Sequence, residues 1–325
     1  MAAKRPRNKL LDYTLYVVLR TGVLLVQLFP IEVMQLVARG LGNLFYLIDA
    51  KHRKRAIENL SLSFPDWSPR RVRRTARRCC QHMIMLGMEI LSLAKLINRH
   101  TWHEYVELDN VATALRVICD NRGIILLTGH FGNWEVLGYM VGSLGIRTYA
   151  VARPIDNPYI DRWLLKHREE TGQCIISKFG AADLAVKVIQ QQSPLCFVAD
   201  QHAGNKGVWV DFFGRPASTY KSIALLAMQM NCPIAVAGAW RLGNRFKFRT
   251  HIEDVIDPQD YADDKEAIKS ITIRYTKALE RLIRNAPDQY LWMHRRWREP
   301  PPPRKKRATA VGQTSTPPAA AEPAV

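Results

Sequence analysis

Cysteine is scarce and unpaired in this chain. Six thiols (Cys79, Cys80, Cys119, Cys174, Cys196 and Cys232) are spread over 325 residues with no Cys-x-x-Cys pair, which argues against a disulfide framework. The last three fall in apolar, strand-like runs, so reduced and buried thiols in a cytosolic compartment are expected. Acidic residues are also few: 29 Asp and Glu against 47 Lys and Arg, a net charge of +18. Such a chain calls for anionic partners. It carries no zinc finger, no aromatic signature of an RNA-recognition motif and no leucine zipper on a basic helix, so a nucleic-acid partner is not expected. Phosphorylated lipid, an anionic bilayer or an acidic carrier protein accounts for the charge equally well. No internal repeat is visible.

A clean membrane span is missing too. Residues 10–48 are dominated by apolar side chains, but Asp12, Arg20, Pro30, Glu32 and Arg39 interrupt them. About 20 predominantly apolar residues are needed to cross a bilayer. Basic clusters at residues 4–9 and 51–55 flank the segment, and the positive-inside rule keeps both flanks in the cytoplasm. A helical hairpin or a pair of interfacial helices bent near Pro30 is the expected arrangement, with a tilted single span or an ordinary amphipathic helix on the domain as alternatives. The run continues apolar through residues 41–50 without a small-x-small cleavage site, so a cleavable signal peptide is not expected.

With 47% apolar residues the rest is enough for one large α/β domain. The organisation expected is a basic arm over residues 1–9, a membrane-associated helical segment over 10–50, a catalytic domain over 51–299 and a disordered tail of Pro, Ala, Thr and Lys/Arg over 300–325. Residues 61–99 read as helical, with Ser68-Pro69 as a start signal. Short apolar runs at 123–128, 147–152, 174–177, 195–199 and 234–239 then alternate with helical stretches at 134–144, 159–171, 180–191 and 220–230. That alternation predicts a mostly parallel sheet flanked by helices on both faces. Residues 245–255 read as a further strand, antiparallel and at an edge, because the turn at 242–244 is too short for a parallel crossover. A last helix is expected over 265–285.

One stretch places an imidazole and a carboxylate at a strand-to-helix junction: Thr128-Gly129-His130-Phe131-Gly132-Asn133-Trp134-Glu135. Asn133 is a plausible N-cap and Glu135 then falls in the first helical turn. On a continuous helix two residues five apart point about 140° from each other, but a bent junction removes that obstacle. His130 could then act as a general base with Glu135 fixing its tautomer. Ordinary helix-start chemistry explains the same residues. His-x4-Glu lacks the one-face geometry and third ligand of a zinc site, so neither metal nor cofactor is called for. Further polar clusters, Arg153-Pro154 and Asp200-Gln201-His202, follow other predicted strands, at the strand ends where such sheets collect ligands.

Four ordered blocks carry a resemblance. The His-x4-Glu motif within HFGNWE, the block VARPIDNPYIDRW from Val151, ADQHAGNKGVWVDFFGRPASTYKSIALLA from Ala199, and PDQYLWMHRRWR from Pro287 resemble the lipid A biosynthesis acyltransferases, the lauroyl and myristoyl transferases of the lysophospholipid acyltransferase superfamily. Asp288 stands where the family usually has Glu. The resemblance runs from about residue 10 to 298 and implies a glycerolipid acyltransferase-like α/β fold at the cytoplasmic face of a bacterial inner membrane. It implies transfer of a fatty acyl chain from an acyl thioester, acyl carrier protein or acyl-CoA, to a hydroxyl of a phosphorylated glycolipid. His130 and Glu135 are then the catalytic pair, with Arg153, Asn157, Asp200, Thr219 and Lys221 as substrate-binding candidates. Arg153 would steady the oxyanion or hold a phosphate, unless it forms a structural salt bridge to Asp200. Phe212-Phe213-Gly214 either shapes an acyl pocket or is core. Trp292, His294, Arg295 and Arg296 close the site or form a basic surface. The rival readings are an acyl-CoA-dependent enzyme acting on another glycolipid or a lysophospholipid, and a non-catalytic basic protein that binds membrane or nucleic acid.

Overall fold

The computed structural model describes residues 8–170 and 172–298. Most of the basic arm and the tail expected to be disordered lie outside the described residues. Four helices come first: α1 (Lys9–Gln27), α2 (Ile31–Ile48), α3 (Ala50–Ser63) and α4 (Pro69–Leu96). Pro30 separates the first two, as its missing N–H and fixed φ favour at a helix start. The expected single helix over 61–99 is broken at residues 64–68, where Pro65 cannot continue α3. The expected start at Ser68-Pro69 holds, with Ser68 accepting from the Arg71 N–H.

The remainder is an α/β domain. After α5 (Trp102–Tyr105) come β1 (Val106–Leu108), α6 (Val111–Ile118), β2 (Ile124–Thr128), α7 (Trp134–Ser143), β3 (Thr148–Ala152), α8 (Pro158–Glu169), β4 (Gln173–Ser177), α9 (Ala181–Gln190) and β5 (Pro194–Val198). A hairpin follows, β6 (Val208–Phe212) and β7 (Arg215–Thr219), then α10 (Ser222–Met230), β8 (Ile234–Arg241), β9 (Phe248–Ile256) and α11 (Ala267–Asn285). The seven-stranded sheet has the order β1-β9-β8-β2-β5-β3-β4. From β8 to β4 all neighbours are parallel, as the alternation of strand and helix predicts.

The strand at β9 is antiparallel to β8 as expected, but it is not an edge, because β1 pairs with its far side in parallel. A three-residue strand is too short to show a period-two pattern. The β6–β7 hairpin is likewise absent from the sequence reading. Its turn residues Phe213 and Gly214 both have positive φ, the geometry of a tight hairpin that Asn-Gly or Asp-Gly usually announces.

Ile125, Leu127, Leu195 and Val236 bury one face of the sheet together with Ile271, Tyr275 and Leu282 of α11. Over part of the other face, Val136, Tyr139 and Met140 of α7 pack with Ala239 and Phe248. The cysteines are free; Cys79, Cys80 and Cys232 are buried, whereas Cys119 is exposed and Cys174 and Cys196 are half-buried, so burial is less general than expected.

By length and composition α1 and α2 could each cross a membrane. They do not stand apart from the domain. The Asn157 amide at the start of α8 donates to the Asp12 carbonyl of α1 at 2.8 Å, Tyr13 meets Tyr159 edge-on at 5.3 Å, and the Arg20 guanidinium lies 4.9 Å over the Trp163 ring. Helix α2 lies along α4, burying Met34, Gln35, Ala38 and Gly42. Gly42 is needed there, since a Cβ would come within 2.4 Å of the Gln81 Cα. Gly42→Val is expected to push the helices apart and cost about 1–3 kcal/mol, read as a lowered unfolding midpoint of the full chain in detergent.

Candidate active site

His130 leaves the end of β2 on a loop held from several sides. The Leu291 N–H donates to the His130 carbonyl at 3.0 Å and the Gly132 N–H to the Gln289 carbonyl at 2.8 Å, while the Asn133 N–H reaches the Ala239 carbonyl at 2.7 Å. Gly132 takes a positive φ, and a Cβ there would strike the Ala239 carbonyl oxygen at 1.9 Å, so only glycine fits. Asn133 caps α7 by accepting from the Val136 N–H at 3.1 Å. Its amide donates to Glu89 of α4 at 3.1 Å.

Glu89 is fully buried and is held by both Arg241 of β8 and Gln35 of α2. Arg241 also donates to His82 Nδ1 at 3.2 Å, so His82 carries its proton on Nε2 and gives it to the Gly132 carbonyl at 3.1 Å. Burial and the Arg241 charge hold His82 far below the ordinary imidazole range. It is therefore a neutral, structural histidine.

The partner of His130 is Asp200, not Glu135. His130 Nδ1 lies 2.7 Å from Asp200 Oδ1, and Asp200 is 2% exposed. Burial alone would lower His130, but the charge and hydrogen bond of Asp200 outweigh it and leave the imidazole raised above 6.5. Burial alone would raise Asp200, yet His130 beside it and Arg296 behind it bring the carboxyl down to about 2. The pair therefore fixes the tautomer with Nε2 directed away from Asp200, where the Gln201 amide lies 3.4 Å from it. Trp134 meets the ring edge-on at 5.1 Å, and His294 stacks on it at 5.9 Å.

Glu135 turns instead to Arg168 in the last turn of α8, pairing with the guanidinium through both carboxylate oxygens, one of them at 3.1 Å. Both groups line the cavity into which His130 opens. Its volume is about 780 Å³, within the usual range for ligand sites of roughly 300–1,000 Å³. Leu126, Leu137, Ala150, Ile175 and Val198 give it apolar walls, and Arg153, Lys178 and Gln201 are among its polar groups. The Thr128 hydroxyl, also in the lining, has no hydrogen-bond partner among the described residues.

The other candidates divide. Arg153 stands at the cavity mouth, largely exposed and 3.5 Å from Asp156; the alternative salt bridge to Asp200 does not form, because Asp200 is committed to His130. Asn157 is buried and its side chain caps α8 and holds α1. Thr219 is buried and accepts from Arg296 at 2.6 Å. Lys221 is exposed before α10 and does not line the cavity. Phe212 and Phe213 belong to the core. Of the C-terminal group, Trp292 and Arg296 are buried behind the site and His294 touches it. Arg168 and Lys178 are cavity residues for which the sequence offered no role, whereas Gln201 belongs to a cluster expected at the strand ends. Among the described residues no cluster of three or more His, Cys, Asp or Glu suits a metal ion.

Residues 1–299 match the model of a family described as bacterial lipid A biosynthesis acyltransferase. The chain belongs to that family. This acyltransferase is 26% identical over 288 residues to the lipid A biosynthesis lauroyltransferase of Escherichia coli, covering 85% of this chain and 89% of the relative. It is 24% identical over 277 residues to the lipid A biosynthesis acyltransferase of Haemophilus influenzae, covering 83% and 85%. A phosphatidylinositol mannoside acyltransferase of Mycolicibacterium smegmatis is 25% identical over 155 residues, covering 46% of this chain and 50% of the relative. Removing one member of a buried ion pair leaves the other uncompensated, so Glu89→Ala in this acyltransferase is expected to cost about 3–5 kcal/mol, measured as loss of stability in denaturant.

Proposed function

We propose that this acyltransferase moves a fatty acyl chain from the thioester of acyl carrier protein to a hydroxyl of a phosphorylated, lipid A-type glycolipid, at the cytoplasmic face of a bacterial inner membrane. The observation that carries this is a half-buried His130, held by the buried Asp200 and opening Nε2 into a largely apolar cavity, in a chain of this family. His130 Nε2 takes the proton of the acceptor hydroxyl, and the oxygen attacks the thioester carbonyl carbon. The Gln201 amide, 3.4 Å from Nε2, is a donor for the oxyanion that forms. The C–S bond then breaks, the sulfur leaves with the electron pair, and the imidazolium returns the proton to it, giving an ester and a free thiol.

Arg153 and Lys178 at the mouth suit an acceptor phosphate, the first by its guanidinium fork. The apolar faces of α1 and α2 suit a bilayer, and the excess of basic residues suits anionic lipid and an acidic carrier. The mycobacterial relatives named for phosphatidylinositol mannoside favour another phosphorylated glycolipid as the second reading of the acceptor.

Transfer of a labelled acyl group from acyl carrier protein to a tetra-acylated lipid A precursor in detergent tests the reading. His130→Ala is expected to lower turnover by about 10²–10⁴ with the fold intact by circular dichroism; full activity in that variant would refute the mechanism. A raised His130 is a base only above its raised pKa, so activity should fall on the acid side with a midpoint above 6.5. Asp200→Asn removes what raises it while burial still lowers it, so the acid limb should move to lower pH and the plateau should drop. Glu135→Ala should leave that limb in place, since Glu135 holds Arg168; a limb shifted by Glu135→Ala and not by Asp200→Asn would exchange the two roles.

A further inference from the structure

Two exposed apolar side chains crown the cavity mouth. Ile155, in the loop after β3, is 38% exposed, and Phe179, in the loop after β4, is 71% exposed. Their loops are neighbours, since β3 and β4 pair in register and the Lys178 N–H continues the ladder to the Ala152 carbonyl at 2.9 Å. Each lies one or two residues from a charged group that lines the cavity, Arg153 and Lys178. Neither lines the cavity itself. Apolar side chains left exposed on neighbouring loops at the rim of a site mark a contact with something outside.

What they contact is indicated by α1. The loop that carries Ile155 is fastened to the start of α1 through the Asn157–Asp12 hydrogen bond, and Leu11, Leu15 and Val18 are exposed along that helix. Tyr13, Tyr16 and Tyr159 cluster between α1 and the start of α8, with ring centres 5.3 to 6.2 Å apart. Tyrosines gather at the headgroup level, where an apolar ring and a polar hydroxyl are both accommodated. The apolar surface of α1 and the tyrosine cluster thus adjoin the loop that carries Ile155. Charge alone does not set the contact: Arg153 lies 3.5 Å from the exposed Asp156, and the Lys178 ammonium lies 5.2 Å over the Phe179 ring.

We propose that Ile155 and Phe179 are a second membrane seat, inserting into the bilayer interface so that the cavity mouth opens directly onto the lipid phase. This rests on the membrane-bound lipid acceptor proposed above. An acceptor embedded in the bilayer then reaches His130 without its acyl chains crossing water, while the charged pair beside the seat meets its headgroup.

The test uses the full chain in vesicles of phosphatidylethanolamine and phosphatidylglycerol. In Phe179→Trp the added indole emission is expected to be quenched by brominated acyl chains, equally at low and high salt. The Ile155→Ser/Phe179→Ser double variant is expected to lose about tenfold or more of transfer to a vesicle-embedded acceptor, while keeping transfer to a short-chain acceptor dispersed as monomers. Unquenched added emission, or an equal loss on both acceptors, would overturn the seat. A loss confined to the acyl carrier protein donor and absent with acyl-CoA would assign the rim to protein docking and overturn it as well. If the unmodified enzyme transfers to neither acceptor, the functional reading fails while the quenching still decides the seat.

Discussion

Because β5 is hydrogen-bonded between β2 and β3, the end of β5 lies about one strand spacing, roughly 4.8 Å, from the end of β2. The chain passes through β3 and β4 before it returns to fill that gap. Thr128 and Val198 are partners in register, so the residues two beyond each, His130 and Asp200, leave the sheet side by side. Their 2.7 Å contact follows from the register. Any slip of β5 by one residue would turn Asp200 to the other face.

The loop that carries His130 is kept in place by groups far from it in sequence. Gln289 and Leu291 bind its backbone from the C-terminal segment, and His82, Glu89 and Arg241 hold its last two residues from beneath. Through Gln35 the same buried charge cluster reaches α2. The apolar N-terminal helices are therefore part of the scaffold beneath the site, and not only an appendage to it. A buried carboxylate with its partners satisfied is rigid, because every alternative leaves a charge unpaired in a poor solvent.

Several polar residues that the sequence offers as ligands for substrate are taken up by the chain itself, for one physical reason. A buried polar atom must have a partner, and in a folded chain the partner is often another part of the chain. Asn157 finds it in a helix N-terminus and the backbone of α1, Thr219 in Arg296, and Glu135 in Arg168. Arg153 stays at the mouth, where its exposed position leaves the guanidinium close to solvent.

Strand and helix alternation, the break at Pro30, the Asn133 cap and the place of His130 at a strand-to-helix junction were legible from local pattern, because each depends on residues within a few positions of one another. The short β1 and the β6–β7 hairpin were not, since three residues carry no period and Phe213-Gly214 lacks the usual turn signal. The sequence by itself determined an α/β domain with an apolar, basic-flanked N-terminus and an imidazole at the end of a strand. Only the tertiary structure decided which carboxylate holds that imidazole. A partner five residues away is suggested by spacing, whereas one seventy residues away is brought there by strand order, which no local interaction encodes.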